Sequence, residues 1–568
     1  MERRYLLALF LCFLVLYVYQ LLLPKPPQAP TQTAKGKPQV TQNQQVEAET
    51  PRKETPLPSP EENASPPLVA ETMERDVPLE TDLVSAVFSN RGAVIKSWKL
   101  KNFRDASNQP HDLIPSGVPA DLPRPFSLRL EDQATARRLN SALFKVDVVS
   151  PSHLRFEYQD ASGLKARKEF QLPPGSYVLM ADVTVNVGGA AVAPVVQWGP
   201  GLGPLTTTEN QSSYVQRSAG ILYANDEVTR LDAGAIAEQP THMGPFGFTG
   251  VDDQYFLLAL VRPSVTKVSY RTVSVPAPLG GEARAELVSY EAQLSQTPGA
   301  QRVFIGPKDF DVLRAVDQDL VRAINFGWFA WLVVPLLTSL KMVNGFVGNY
   351  GWSIIILTIL INALMFPLRH KSVVSMRKMQ EIQPEVKAIQ DRYAKLKATD
   401  PARQKMNTEM MALYRERGVN PASGCIPMLL TMPVLFAFYQ LLSVAIELRG
   451  APFAGWIKDL SAHDPLYVTP ILMGATMFIQ QKMSPATLDP VQQKMMMIMP
   501  VVFTFMFLQA PSGLVLYWFV SNLWTIGQQM VTNRLIGPPN VRMVRPPAER
   551  KLKKAGAGKT EAAEKTEP

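Results

Sequence analysis

The stretch from Ile355 to Lys371 reads IILTILINALMFPLRHK, and it indicates what kind of structure the second half of the chain forms. It is apolar enough to enter a bilayer as a helix, yet Thr358 and Asn362 interrupt it and a basic cluster from Arg369 to Lys371 ends it. A polar side chain in hydrocarbon costs free energy unless it finds water or a partner. The two polar residues are therefore predicted to face a wet cavity or another helix rather than lipid.

The composition of the 568-residue chain excludes several classes of site. The chain carries a formal net charge of +9 and is 46% hydrophobic. Its two cysteines, Cys12 and Cys425, lie far apart in apolar segments. The sequence therefore predicts neither a disulfide framework nor a paired-cysteine metal or redox site.

Residues 1–23 are predicted to form a transmembrane anchor. The apolar run from Tyr5 to Leu23 is long enough to cross a core of about 30 Å as a helix, and two arginines precede it. The alternative, a cleaved signal peptide, is disfavoured because no small-x-small cleavage site precedes the prolines that follow. Residues 24–76 are rich in Pro, Gln, Thr, Glu and Lys with almost no aromatic residues, which predicts a flexible tether.

Residues 77–310 carry the pattern of an all-β domain. Short runs of alternating polarity, such as LVSAVFSN, AVIKSWKL and SYVLMADVTVNV, are separated by Gly, Pro, Asn and Asp. Short strands spaced in this way are typical of a β-sandwich, and a single all-β domain often reaches this size.

The rest of the chain alternates between apolar and basic segments. Five apolar segments are candidate spans: Gly348–Leu368, Ile426–Ile446, Tyr467–Gln480, Met495–Ala510 and Gly513–Thr532. A further segment, Phe326–Phe346, contains Pro335 and Lys341 and carries two tryptophans where an interfacial helix would need them. With the anchor, the sequence therefore allows six or seven spans.

The distribution of basic residues selects six. The segment from Arg369 to Arg417 holds twelve Lys and Arg against six acidic residues, and the tail 534–568 is basic where it begins. Such segments stay in the cytoplasm, and only an even number of spans then agrees with a cytoplasmic amino terminus. We therefore expect an interfacial amphipathic helix at 326–346, a five-helix core at 348–533 and the β domain outside the cytoplasm.

The cytoplasmic segment 372–417 is predicted to form a helical hairpin. Its apolar residues recur at spacings of three and four on both sides of Asp400 and Pro401, which indicates two helices joined by a short turn. The hairpin is predicted to present a basic surface to a partner. The alternative is that it serves only as a solvated linker. The basic residues of that candidate surface are Arg377, Lys378, Lys387, Arg392 and Lys395.

Signals for catalysis are weak. The sequence GAGKT from Gly556 to Thr560 ends like a nucleotide-binding loop, but Lys553 occupies the position that needs the first glycine. The histidines of the β domain are scattered among polar loops, and they are His111, His153 and His242. We expect no enzyme activity, no metal and no cofactor, while a glycan-processing sandwich stays an alternative.

Several candidate spans contain uncharged polar residues. These are Thr358, Asn362, Thr431, Gln440, Ser521, Asn522 and Thr525. Each one alone can serve as an interhelical hydrogen-bond partner, worth about 0.6 kcal/mol, whereas together they indicate a weakly polar interior. A transporter is one alternative, but neither buried charge nor symmetric broken helices support it.

Three long stretches of the membrane half carry a family resemblance. They are ALYRERGVNPASGCIPMLLTMPVLFAFYQLL (Ala412–Leu442), ELRGAPFAGWIKDLSAHDPLYVTPILMGATMFIQQKMSP (Glu447–Pro485) and MPVVFTFMFLQAPSGLVLYWFVSNLWTIGQQ (Met499–Gln529). They resemble the YidC membrane protein insertases of Gram-negative bacteria over almost all of 326–534. The β domain resembles the same family more weakly, at FTGVDDQYFLLAL and FIGPKDFDVL.

The resemblance implies a membrane protein insertase without catalytic chemistry. It implies a five-helix core around a hydrophilic groove that opens to the cytoplasm and to lipid, in the bacterial inner membrane, with both termini cytoplasmic. It also implies a galactose-mutarotase-like sandwich in the periplasm. The implied partners are nascent membrane proteins, the Sec translocon with its accessory subunits, and the ribosome through the hairpin and tail. The basic surfaces also suit anionic phospholipid, and a membrane-anchored periplasmic scaffold or binding protein is the remaining alternative.

Residue roles follow from the resemblance as well. The groove is expected to contain Thr358, Asn362, Thr431, Gln440, Tyr517, Trp518, Ser521 and Asn522. The helices along which substrate slides are expected to present Met432, Pro433, Phe436, Met499, Phe503 and Met506. One position departs from the family pattern, because Asn362 stands where a positive residue is usual. Either hydration and amide hydrogen bonding suffice there, or Arg369 or Lys371 reaches inward.

Overall fold

The chain divides into two compact units, one ending at Asn325 and the other beginning at Phe326. The computed structural model describes residues 66–105, 107–119, 122–203, 218–276, 284–295, 299–393, 402–419, 426–483 and 490–536. The predicted anchor, most of the predicted tether and nearly all of the predicted tail lie outside these residues.

The unit that ends at Asn325 is built from strands with a few short helices. Its described strands are β1 Pro67–Val69, β2 Asp76–Glu80, β3 Val84–Ser89, β4 Val94–Arg104, β5 Pro110–Asp112, β6 Ser127–Arg129, β7 Lys145–Ser150, β8 His153–Asp160, β9 Lys165–Gln171, β10 Val178–Val187, β11 Ala190–Val192, β12 Val195–Trp198, β13 Ala219–Ala224, β14 Glu227–Leu231, β15 Thr241–Met243, β16 Phe248–Asp252, β17 Phe256–Val261, β18 Val265–Pro276, β19 Arg284–Leu294 and β20 Gln301–Pro307. The helices are α1 Gln133–Ser141, α2 Ala233–Glu238 and α3 Phe310–Val316.

These strands form three antiparallel sheets. The largest has the order β1-β8-β9-β10-β20-β17-β16-β13-β14, with β7 and β11 paired at its sides; the others are β15-β18-β19-β12-β6 and β2-β3-β4-β5. The Tyr270 hydroxyl of β18 donates to the Ile221 carbonyl of β13 at 2.8 Å, which joins the first two sheets. Strand β17 is buried at every position, as a strand covered on both faces must be. The expected β-sandwich is confirmed.

Ordered structure begins earlier than the sequence indicates. Strand β1 pairs with β8 although it lies within the predicted tether 24–76. Glu71 accepts hydrogen bonds from the side chains of Arg75 at 2.8 Å and Asn90 at 2.9 Å. The Arg75 guanidinium holds the pKa of Glu71 at about 2. The segment is fixed by polar contacts, which a composition poor in apolar residues does not reveal.

The unit that begins at Phe326 is helical. Its described helices are α4 Ala330–Val347, α5 Tyr350–Glu381, α6 Gln383–Arg392, α7 Ala402–Glu416, α8 Ile426–Val444, α9 Val468–Met483, α10 Pro490–Met506 and α11 Ser512–Ile536. Short 3-10 turns occur at Gly327–Phe329, Ile446–Leu448 and Phe507–Gln509.

The boundary between α4 and α5 follows from local chemistry. Gly348 has a φ of 69°, a left-handed conformation that ends α4. Asn349 then caps α5, because its side-chain oxygen accepts a hydrogen bond from the Trp352 amide at 3.2 Å. The amide of the same side chain donates to the Phe453 carbonyl at 3.0 Å.

Two helices in the described part of the chain are long and apolar enough to cross a bilayer, Gly327–Val347 and Tyr350–Glu381. Met432–Val444 and Met496–Gln509 are shorter apolar helical stretches. The count of six spans therefore stays a prediction. The segment expected to lie on the membrane surface passes the same test of length and composition as α5, so its interfacial placement also stays a prediction.

The helical hairpin after α5 differs from the predicted one. The segment 372–381 continues α5 instead of starting a separate helix, and the hairpin consists of α6 and α7. The Tyr393 hydroxyl of the turn after α6 donates to Glu409 at 2.8 Å, and Arg417 donates to Glu385 at 2.6 Å. The apolar spacing indicates helix in either case, so it does not locate the break near Ile382.

Lys168 of β9 is a buried basic residue that joins parts of the sandwich. Its Nζ donates to the carbonyls of Gly92 at 2.6 Å, Ala93 at 3.3 Å and Phe126 at 2.7 Å. Gly92 and Ala93 form the turn between β3 and β4, and Phe126 precedes β6. One side chain of the large sheet therefore binds the edges of the other two. Burial lowers the pKa of Lys168 to about 7.

Replacement of Lys168 by Met should make the stability of the sandwich less dependent on pH. With a folded pKa of about 7 and an unfolded pKa of about 10.4, the unfolded chain binds more protons between these values, so the wild type gains stability as pH rises. The Met variant lacks this gain and leaves three carbonyls unsatisfied. Calorimetry of the detergent-solubilised chain from pH 7 to 10 should therefore show a difference in stability that widens with pH. A constant difference would contradict the assignment.

Candidate functional site

The polar residues of α5 lie on one buried face. The Thr358 hydroxyl donates to the Ile354 carbonyl at 2.6 Å, and the Asn362 amide nitrogen donates to the Thr358 carbonyl at 2.8 Å. Both side chains are buried. Since their donors are satisfied within the helix, the side-chain oxygen of Asn362 is left to accept from another group.

Arg369 supplies that group. Its Nη1 donates to Asn362 Oδ1 at 2.7 Å and to Thr525 Oγ1 of α11 at 3.4 Å. Arg369 lies seven residues after Asn362, two turns closer to the predicted cytoplasmic end. Side chains on a helix point toward its amino terminus, so the guanidinium reaches back into the membrane unit instead of extending outward. Of the two possibilities left open by the sequence, the inward reach of Arg369 is the one observed.

Thr525 completes this contact from the opposite helix. Its hydroxyl donates to the Ser521 carbonyl at 2.8 Å and keeps a lone pair for Arg369. We call Thr358, Asn362, Arg369, Ser521 and Thr525 the polar seam, which runs between α5 and α11. Sequence reasoning named three of these five as groove residues and offered Arg369 or Lys371 as a cation that reaches inward, and the structure selects Arg369.

The neighbouring aromatic residues Tyr517 and Trp518 of α11 contact different helices. Tyr517 is buried and stacks on Phe438 of α8 with ring centroids 4.3 Å apart. Trp518 instead packs on Phe503 of α10 at 5.5 Å and on Phe507 at 4.9 Å. Tyr517 therefore lies on the α8 side of α11, and Trp518 on the α10 side.

The other expected groove residues are separated from the polar seam. The Asn522 amide donates to Thr476 Oγ1 of α9 at 3.3 Å and to the Met473 carbonyl at 3.4 Å, so it joins α11 to α9. Gln440 of α8 lies against the turn that contains Gly327. The side chain of Thr431 lies outside the described residues.

The residues expected along the sliding surface are partly exposed. Phe436 of α8 is 46% exposed and stacks on Phe329 with centroids 6.0 Å apart. On α10, Met499 and Met506 are also exposed, whereas Phe503 packs on Trp518. Met432 and Pro433 are half-buried. Helices α8 and α10 therefore present apolar side chains that other chains or lipid can reach.

The candidate recruitment residues separate into two groups. Lys378 and Lys387 are exposed, and Arg392 forms an ion pair with Glu409 at 3.5 Å; Lys395 lies outside the described residues. Arg377 is only 8% exposed and donates to Asn533 near the end of α11. Arg377 is therefore not part of the basic surface and instead ties α5 to α11.

The match to family models covers both units. Residues 342–538 match the model of the 60Kd inner membrane protein, and residues 76–339 match the model of the YidC periplasmic domain. Together they define an inner membrane protein that carries a periplasmic domain.

Full-length relatives are similar over nearly the whole chain. A membrane protein insertase YidC from Pelobacter propionicus is 37% identical over 94% of this chain and 100% of its own length. Those from Syntrophus aciditrophicus and Geobacter sulfurreducens are 36% and 38% identical, again over 94% of this chain. The chain belongs to the YidC family of membrane protein insertases.

Solved structures show weaker similarity. A structure described as an active YidC insertase with its first transmembrane domain resolved is 18% identical, covers 82% of this chain and 94% of that chain, and has a TM-score of 0.34. A galactose mutarotase related enzyme from Lactobacillus acidophilus covers 41% of this chain and 97% of its own, with a TM-score of 0.28. The family assignment therefore rests on sequence, and a galactose-mutarotase-like sandwich stays a prediction.

Helices α9 and α10 are short and closely packed. They contain 16 and 17 residues, which at about 1.5 Å per residue is less than the ~30 Å of a bilayer core. A Cβ atom added at Gly474 of α9 would lie 1.9 Å from Thr504 Oγ1 of α10. Only glycine permits this approach.

Substitution of Gly474 by Ala should destabilise the membrane unit by about 1–3 kcal/mol, because the added methyl group separates α9 from α10. Gly527→Ala on α11 is the matched control, since no heavy atom lies within 4 Å of its added Cβ. Thermal unfolding in detergent should show a lower midpoint for Gly474→Ala than for the control. Equal midpoints would contradict the close packing.

Proposed function

We propose that this chain inserts nascent membrane proteins into the bacterial inner membrane through a groove lined by the polar seam. The observation that carries the proposal is the guanidinium of Arg369, which is held inside the membrane unit by Asn362 and Thr525. A charge at that depth is costly and marks a path for polar groups. Membership of the insertase family supports the same function.

The groove works by offering a polar substitute for water. A guanidinium carries five N–H donors, and Asn362 and Thr525 engage only one nitrogen, Nη1. The other donors are suited to carbonyl and carboxylate oxygens in the polar flank of a client. The apolar client segment moves along the exposed side chains of α8 and α10 toward lipid. No nucleotide hydrolysis and no catalytic group take part.

The short helices lower the barrier further. Because α9 and α10 do not fill the bilayer core, the lipid beside them thins, and the polar flank of the client crosses a shorter hydrocarbon path. We assign the lateral exit of the groove to the surface beside the exposed methionines of α10.

The cytoplasmic surfaces recruit the client. Exposed Lys378 and Lys387, together with the basic tail 534–568, suit ribosomal RNA and anionic phospholipid, which make the same demand on basic side chains. We assign six spans with both termini in the cytoplasm, the sandwich in the periplasm, and cooperation with the Sec translocon for a subset of clients.

Depletion of the protein in its host should abolish insertion of a short two-span membrane protein, measured by protease protection. The full chain and a chain lacking most of 77–306 should both restore insertion, because the activity is assigned to the membrane unit. Normal insertion after depletion would contradict the proposed function. Rescue by the full chain alone would assign an essential role to the sandwich.

An arginine at either position 362 or position 369 of α5 should support insertion. Arg369→Gln should slow insertion about tenfold or more, since hydrogen bonds to charged groups contribute about 1.5–3 kcal/mol. Asn362→Arg introduced into that variant should restore insertion, because it puts a guanidinium back beside Thr358. Asn362→Leu alone should also slow insertion by releasing Arg369.

The matched control is Lys371→Gln. It removes an exposed positive charge two residues from Arg369 and should leave insertion unchanged. An equal loss in both charge variants would indicate that only net charge at the cytoplasmic end matters.

A further inference from the structure

Two side chains of α11 have buried polar atoms without a hydrogen-bond partner among the residues that the structure describes. These atoms are the indole Nε1 of Trp524 and the amide nitrogen and oxygen of Gln528. Gln528 is only 7% exposed. Buried polar groups are nearly always paired, so an unpaired donor and acceptor one turn apart need an explanation.

The position of Gln528 on the helix shows what it faces. At about 100° per residue, Gln528 lies within about 60° of Thr525 and about 40° of Thr532. Thr525 contacts Arg369 of α5. The Thr532 hydroxyl lies 3.5 Å from Nδ1 of His370, which is also on α5. Gln528 therefore lies on the face of α11 that contacts α5, between these two contacts.

Trp524 lies on the side of α11 next to Gln528. It precedes Gln528 by four residues and follows Tyr517 by seven, so all three share one side of α11. Tyr517 contacts α8 through its stack on Phe438. Trp524 and Gln528 thus project between α5 and α8, at the predicted cytoplasmic end of the polar seam.

A purely structural role does not account for these two side chains. An unpaired buried amide costs free energy, and Leu would fill the same volume without that cost. Phe would likewise replace Trp524 without leaving an unused N–H group. Both residues do suit a ligand that brings its own donor and acceptor.

The chemistry of the pair selects the ligand. A Gln side chain has one carbonyl and one NH₂ group, which matches the N–H and C=O of a single peptide unit, and the indole adds a second donor. Neither residue carries charge, so neither discriminates for acidic or basic clients. Arg369, by contrast, favours oxygen acceptors.

We propose that Trp524 and Gln528 form a subsite that hydrogen-bonds the unpaired peptide groups of a client segment as it enters the polar seam. The inference rests on the proposed function and deepens it, because it names the part of the client that is held. A segment that has not yet formed a helix carries backbone groups that hydrocarbon cannot satisfy. The subsite replaces their water on the way to the membrane.

The test combines insertion with stability. Gln528→Leu removes the amide with little change of volume, and Trp524→Phe removes the N–H donor while keeping a smaller aromatic ring. Each should slow insertion of a two-span client roughly three- to tenfold, by the loss of one or two hydrogen bonds, while the thermal midpoint in detergent stays equal or rises. Gln529→Leu is the matched control and should leave insertion unchanged, because the Gln529 amide bonds within its own helix to Asn533 at 3.3 Å.

Crosslinking gives a second, independent measurement. A photoreactive benzoylphenylalanine at position 524 should crosslink to a ribosome-stalled two-span client, whereas the same group at Met530, which is exposed, should do so less. Crosslinking together with slower insertion at unchanged stability supports the subsite.

Other outcomes overturn it. Normal insertion in both variants without crosslinking would mean that the two side chains hold only water. Slower insertion accompanied by a lower thermal midpoint would mean a structural role. Failure of the wild-type chain to restore insertion would instead overturn the proposed function, so the two failures are distinguishable.

Discussion

The polar seam depends on the guanidinium of Arg369, which links Asn362 of its own helix α5 to Thr525 of α11. A guanidinium that is mostly enclosed by protein must be hydrogen-bonded, and the nearest acceptors are the Asn362 amide oxygen at 2.7 Å and the Thr525 hydroxyl at 3.4 Å. The Asn362 contact lies within α5 and orients the guanidinium, and the Thr525 contact joins α5 to α11.

The sandwich also contains a buried basic side chain that must be hydrogen-bonded by protein groups. Lys168 is buried among strands, and three carbonyls from two other sheets satisfy its three N–H donors. In both units a basic side chain therefore joins elements that are distant in sequence. The difference is that Lys168 is fully satisfied and structural, whereas Arg369 keeps donors for a further group.

The helices differ in whether they present polar groups to one another or exposed apolar side chains. Helices α5 and α11 contribute polar groups to the seam, while α8 and α10 expose Phe436, Met499 and Met506. Under the proposed function, this alternation of two kinds of surface lets an amphiphilic client satisfy its polar and apolar parts at once. Asn522, predicted as a groove residue from sequence, belongs to neither surface, because it holds α9 against α11.

The sequence by itself determined the all-β pattern of residues 77–310, the apolar segments and the polar interruptions at Thr358 and Asn362, because these follow from local periodicity and composition. It did not determine which neighbour each polar side chain meets. The inward turn of Arg369, the burial of Arg377 and the unpaired amide of Gln528 depend on which helix lies opposite. That is a property of packing between distant segments, and a spacing of three or four residues is the same whether a face meets lipid, water or another helix.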